Sequence, residues 1–214
     1  MKNLKRMTAL VLVLIMALSF AGCHKKDEKI TIAEVTHSVF YAPQYIALSE
    51  GIFQKYGLEV EIILTSGADK VMASLLSEDA EIGLMGPEAS IYVYLEGRSD
   101  YAITFAQLTQ KDGAFIVGRE KIDDFTLETL KGHSILGGRK GGMPEMILEY
   151  VLKQKGYEVS STDENAQIYI RTDVNFDVMA GAFASGNGDF VTLFEPQATE
   201  MENIKEGYIV ESIG

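Results

Sequence analysis

Four short stretches of this 214-residue chain place glycine, proline or small polar residues where backbone amides can hold a ligand. They are Thr36-His37-Ser38 followed by Phe40 and Tyr41, Thr65-Ser66-Gly67, Gly86-Pro87-Glu88, and Gly141-Gly142-Met143-Pro144. Glycine lets a backbone approach its ligand closely. The first turn of a helix carries free N–H groups and a partial positive charge, which suits an anion or a carbonyl. Phe40 and Tyr41 offer flat faces to a ring, Tyr41 with a phenol as well. Glu195 can accept two hydrogen bonds from an amino-substituted heterocycle. Arg139 can instead meet a sulfonate or carboxylate with its guanidinium fork. Gln107 ends a further strand-like stretch. Each of these has a plainer reading. Phe40 suits a core, His37 a polar loop, and Pro87 and Pro144 ordinary helix starts. Glu88 and Glu145 complement helix dipoles, and Glu88 repels an anion. Arg139 and Lys140 suit a solvated loop, and Glu195 an ion pair.

These loops need strands before them and helices after them, and the pattern supplies both. "EKITIAEVT" reads as a strand. Tyr45, Leu48, Ile52 and Tyr56 then recur at helical spacing, and Gly57 stops that helix. "LEVEIIL" alternates as a strand, "GADKVMASLLSEDA" as a helix, "AEIGLMG" as a short strand and "PEASIYVYLEG" as a helix opened by proline. "YAITFAQL" reads as a fourth strand. A second set follows. "GAFIVGR", "HSILGG", "AQIYIR" and "GDFVTLF" are strands, and "TLETLKG", "MPEMILEYVLKQKG", "DVNFDVMAGAFASG" and "EPQATEMENI" are helices. In "MPEMILEYVLKQKG", Met143, Ile147, Tyr150 and Val151 share a face. "YIVESIG" looks like a strand that has only begun. Alternating strands and helices imply an α/β protein with parallel sheets. Ligands of open α/β sheets bind beyond the carboxyl ends of the strands. The break near Gln107 to Gly113 divides the chain into a first lobe, 30–110, and a second, 111–214.

Cys23 is the one cysteine, and it follows a signal-like segment. Lys2, Lys5 and Arg6 precede the apolar run Met7 to Phe20, with small residues after it. That run is shorter than the about 20 residues a spanning helix needs. "SFAGC" resembles the lipobox of bacterial lipoproteins, with Phe20 where that family usually has Leu. The resemblance implies a signal peptide over 1–22 and a lipid on Cys23. It also implies a polar tether over 23–29 and a place on the outer face of the cell membrane. Ser19-Phe20-Ala21 as an ordinary cleavage site gives a secreted protein instead. One cysteine allows no intramolecular disulfide.

The formal charge of −12 does not suit nucleic acid, which asks for basic patches. One cysteine excludes a cysteine-built metal site, and the histidines are few: His24, His37 and His133. "GGRKGG" at 137–142 does not have the GxGxxG spacing. No catalytic residue, metal or cofactor is expected.

"FYAPQYIALSEGIFQKYGLEVEI" at 40–62 resembles the opening of a particular family. Its members are solute-binding proteins of ABC importers for sulfonates, nitrate and thiamine-type pyrimidines. "EIGLMGPEAS" at 81–90, "LGGRKGGMPEMILEYVL" at 136–152 and "DFVTLFEPQA" at 189–198 follow in the family's order. The resemblance implies a type II periplasmic-binding-protein fold, in which two α/β lobes close on a ligand. It implies a monomer that hands this ligand to a permease and its ATPase. His37, Ser38, Phe40, Tyr41, Ser66, Gly67, Gly86, Pro87, Glu88, Gln107, Arg139, Gly141, Gly142, Met143 and Glu195 are the expected ligand contacts. Two alternatives are a lipoprotein that passes its ligand to a sensor and a relative of the pyrimidine-making enzymes. The family continues past "YIVESIG" and returns to the first lobe. The chain is therefore expected to lack that return, to expose apolar surface and to be marginally stable.

Overall fold

The computed structural model describes residues 28–111 and 113–213. Cys23, the apolar run before it and most of the tether lie outside the described residues.

The first unit is a small parallel sheet with helices packed on it. Strand β1 (Glu28–Glu34) lies in the middle, with β2 (Leu58–Leu64) and β3 (Ile82–Leu84) on its two sides. Both pairs are parallel, and Ile32 stands opposite Ile62 and Ile82. Helices α1 (Ala42–Ser49) and α2 (Ile52–Lys55) connect β1 to β2. The sequence spacing predicts one helix here. Gly51 breaks it by taking a left-handed conformation, φ 64°, which glycine adopts without steric cost. Tyr56 is left in solvent, 79 % exposed. Helix α3 (Ala68–Leu76) buries Val71 and Met72 against the sheet, and α4 (Glu88–Leu95) follows β3.

The expected strand at 101–108 is absent. That stretch forms no ladder among the described residues, and Ile103 and Phe105 are more than three-quarters exposed. Alternating apolar residues mark a segment able to form a strand, but a strand also needs a neighbour to pair with.

The second unit is a six-stranded sheet in the order β6-β7-β5-β8-β4-β9. Its strands are β4 (Ala114–Gly118), β5 (Ser134–Leu136), β6 (Val159–Ser160), β7 (Ile168–Arg171), β8 (Phe190–Phe194) and β9 (Tyr208–Ser212). The sheet is mixed, contrary to the all-parallel expectation, because β4 runs antiparallel to both β8 and β9. The strand at 208–212 runs five residues and pairs with β4 at four of them, with a bulge at Val210, where the sequence suggested only a beginning. Side chains alternate between faces. Ile116, Ile135 and Phe190 pack with Leu148 and Leu152 of α5 (Met143–Gln154) on one side. Val117, Leu136 and Val191 pack with α6 (Met179–Ala184) and α7 (Gln197–Asn203) on the other. Phe183 is completely buried there, and truncating such a residue to alanine costs about 3–5 kcal/mol. The buried face of α5 carries Leu148 and Leu152, while Tyr150 points to solvent, 63 % exposed. The stretch "TLETLKG" is a 3-10 turn, Leu127–Leu130, closed by a capping box from Thr126.

Candidate functional site

The loops after β1, β2, β3 and β5 converge on one cavity of about 1530 Å³ between the two units. It runs on beside β3, along Ile82 to Met85, to the extended stretch from Tyr101 to Thr109.

On the first unit the loop after β1 is built around a buried carboxylate. Ile30, Ile32 and Glu34 fall on the same side of an alternating strand, so Glu34 is carried inward and is 0 % exposed. Tyr45 Oη donates to it at 3.0–3.1 Å, and Gln44 Nε2 donates at 2.6 Å. His37 meets both the Glu34 carboxylate and, at 3.2 Å, the Tyr45 hydroxyl. Burial, reinforced by the bond to Glu34, pushes the Tyr45 hydroxyl up to about 12, so it keeps its proton. Burial and the Glu34 charge raise Tyr41 in the same direction. Ser38 then caps the 3-10 turn Val39–Tyr41, accepting from the Phe40 amide at 3.3 Å.

The loop after β2 is held in an unusual conformation. Ser66 has φ 56°, left-handed for a residue with a side chain, and Gly67 has φ 149°. Non-glycine residues in that region are rare and cluster at sites that bind or switch.

The loop after β3 places Glu88 at the start of α4 with its carboxylate folded back over Gly86. A methyl group on Gly86 would lie 2.0 Å from Glu88 Oε2, so only glycine fits beneath that carboxylate. Glu88 is 4 % exposed, and Oε2 has no hydrogen-bond partner. Burial raises its carboxyl above the ordinary range. Its own amide, the Met143 amide at the start of α5 and Arg139 act in the opposite sense.

On the second unit, Gly141 turns the chain into α5 with φ 70°. Its amide donates to Glu145 Oε2 at 3.0 Å. Glu145 is 2 % exposed, and burial raises its carboxyl as well. Several contacts join the units across the cavity, among them three polar bridges. Ser38 Oγ donates to the Glu195 carbonyl at 2.9 Å, Tyr92 Oη donates to the Gly141 carbonyl at 2.9 Å, and Arg139 Nε lies 3.2 Å from Asp69 Oδ1.

The cavity lining includes Ser38, Phe40, Tyr41, Ser66, Gly67, Gly86, Pro87, Glu88, Gln107, Arg139, Gly142 and Met143. His37, Gly141 and Glu195 stand off it. His37 turns to Glu34 and Tyr45, and Gly141 is engaged by Glu145 and Tyr92. The Glu195 carboxylate accepts from the Thr199 amide and hydroxyl, at 3.1 and 2.8 Å, and so caps α7. The Gln107 amide donates to the Thr109 carbonyl at 2.7 Å. Phe40 also packs over Gly113, where a methyl group would come within 2.2 Å of its ring. Sequence reasoning missed Glu34, Asp69, Tyr92, Asn175, Phe176 and Phe194. The last three line the cavity from the second unit, and Phe176 and Phe194 sit with ring centroids 5.3 Å apart. A signal existed for Glu34 alone, in the two-residue period that puts it on the face of Ile30 and Ile32.

Two α/β units with a cavity between them at the strand ends define the periplasmic-binding-protein fold. Solved structures carry the same architecture. The periplasmic aliphatic sulphonate binding protein SsuA of Escherichia coli matches with TM-score 0.59 and 16 % identity, over 86 % of this chain and 60 % of that one. The ligand-binding component of an ABC-type import system from Staphylococcus aureus matches with TM-score 0.62 and 15 % identity, over 87 % and 61 %. The chain belongs to the NMT1-like family, whose model matches residues 24–213. It is 47 % identical over 198 residues to a Bacillus subtilis protein named "Putative binding protein YtlA". That match covers 92 % of this chain and 58 % of the relative's length. Among the described residues, no helix is long and apolar enough to cross a membrane, and no group of three or more His, Cys, Asp or Glu is placed to hold a metal ion.

Proposed function

We propose that this chain is the substrate-binding part of an ABC importer. It captures a small molecule between its two units and delivers it to the permease and ATPase. The observation that carries this reading is the cavity itself. It takes lining residues from both units, and side chains of the first unit bond to loops of the second across it. Closing such a cleft on a ligand couples binding to a change in shape that a permease can sense. Membership of the NMT1-like family and the likeness to the Staphylococcus aureus import component support the same reading.

The lining suits a planar heterocycle such as a thiamine-type pyrimidine better than a sulfonate- or nitrate-like anion. Phe40, Tyr41, Phe176 and Phe194 all contribute to it. A lipid on Cys23 holds the domain at the outer face of the membrane, beside its transporter. Residues 30–110 form one lobe and 111–214 the other, with the ligand contacts on loops from both.

A thermal-shift screen tests the reading. The panel is pyrimidines, thiamine, riboflavin, taurine, alkanesulfonates and nitrate. A ligand that binds only the folded chain raises its melting temperature by mass action. A shift confined to one class names the substrate. A clear melting transition that no member of the panel moves counts against capture of these ligands.

A further inference from the structure

The cleft has one buried acceptor with nothing to accept. Glu88 Oε2 lies beside the cavity without a partner, although buried polar atoms are satisfied in the great majority of cases. Around it, three groups that would attract an anion are already engaged by carboxylates of the protein. The Met143 amide at the start of the twelve-residue helix α5 acts on Glu88 itself. The Gly141 amide is bonded to Glu145, and the Arg139 guanidinium pairs with Asp69. An anion entering here would face the buried Glu88 carboxylate and find these three donors taken. A ligand with N–H groups would supply the missing partner.

We infer that Glu88 sets the ligand class, requiring a planar ligand that presents N–H donors and positive charge, such as an amidine or amino-substituted heterocycle, and rejecting anions. This rests on the capture reading above and narrows it. Gly86 belongs to the same device, since it leaves the space in which the carboxylate folds back. Arg139 stays with Asp69 as a positioning pair and is not the ligand's anchor.

Two planar probes of similar shape and opposite charge separate the possibilities, namely benzamidinium and benzoate. Each is titrated into the full chain and into Glu88→Gln, with melting temperature and calorimetry as readouts. The expected result is a stabilising shift with benzamidinium on the wild type and none with benzoate. Charge-assisted hydrogen bonds account for about tenfold or more in affinity, so Glu88→Gln weakens benzamidinium at least that much. Gly86→Ala has the same effect by displacing the carboxylate. The proposal is overturned if benzoate stabilises the wild type as well as benzamidinium does, if Glu88→Gln leaves benzamidinium affinity unchanged, or if benzamidinium causes no shift. If an anion from the panel binds instead and protects the cavity loops from hydrogen exchange, the capture reading stands and the role given to Glu88 falls.

Discussion

Arg139 Nε, in the loop after β5, lies 3.2 Å from Asp69 Oδ1 at the start of α3, so one ion pair ties the second unit to the first across the cavity. Both partners are partly solvated, 35 % and 46 % exposed. Pairs of this kind contribute about 0.2–1 kcal/mol and weaken as salt rises. Asp69→Asn therefore lowers folding stability by no more than about 1 kcal/mol. Its larger effect is to free the guanidinium fork. Methanesulfonate, measured by calorimetry, should bind Asp69→Asn more tightly than the wild type, and the gain should shrink at high salt. Equal affinities would mean that the fork is not what limits anion binding.

A second bridge rests on a residue that only glycine fills well. Gly141 has φ 70°, and a methyl group there would lie 3.0 Å from Tyr92 Oη, the group that donates to its carbonyl. A side chain in the left-handed region costs about 1–2 kcal/mol. Gly141→Ala should lower stability by about that much in urea unfolding, and Tyr92→Phe by about 0.5–1.5 kcal/mol. The two residues share one contact, so the double variant should lose less than the sum of the single losses. Strict additivity would show that the bridge does not couple them.

The two buried carboxyls give the protein a pH signature. Burial raises both Glu88 and Glu145 above the ordinary range. A carboxyl raised in the folded state holds its proton more tightly there than in the unfolded chain. Its stabilising contribution is complete below the unfolded value of about 4.3 and is lost as pH rises through the folded value. Glu88→Gln removes one such group. The stability difference between variant and wild type should therefore move in the variant's favour as pH rises above about 4.3, as read from urea midpoints. A difference that stays constant with pH would show that Glu88 is not buried as charge. A substitution that stabilises the fold while weakening donor-bearing ligands is the trade-off expected at a binding site.

Much of the architecture was legible because periodicity reports which side of an element is buried. The strand at 58–64 falls where alternation places it, those at 114–118 and 190–194 fall where their apolar runs place them, and α5 begins at Met143 as the proline and first-turn acid indicate. The misses have physical causes. A strand exists only with a partner, so the β-like composition of 101–108 could not reveal that it stays unpaired. Strand direction is set by connections across the whole chain, so the antiparallel β4 and β9 left no local trace. In the candidate site, glycine loops that open helices were readable at 67, 86, 141 and 142. The Glu34 carboxylate left a trace in the two-residue period of β1, whereas the burial of Glu88 arises only where separate loops converge and left none.

Cys23 tests the location. The lipobox-like "SFAGC" predicts a thioether-linked diacylglycerol on this cysteine and cleavage before it. One acyl chain binds a membrane marginally, whereas several hold it stably. In a bacterial host the wild-type chain should pellet with membranes, with the lipid visible by mass spectrometry. Cys23→Ser should lose that lipid and its membrane attachment. An unmodified Cys23 in a secreted product would point to cleavage after Ala21.

The central claim is that one ligand touches both units at once, and hydrogen exchange reads that directly. With a panel ligand that raises the melting temperature, the amides of residues 66–68, 86–88 and 141–144 should slow together. Protection confined to one unit, or lying away from these loops, would contradict capture between the lobes.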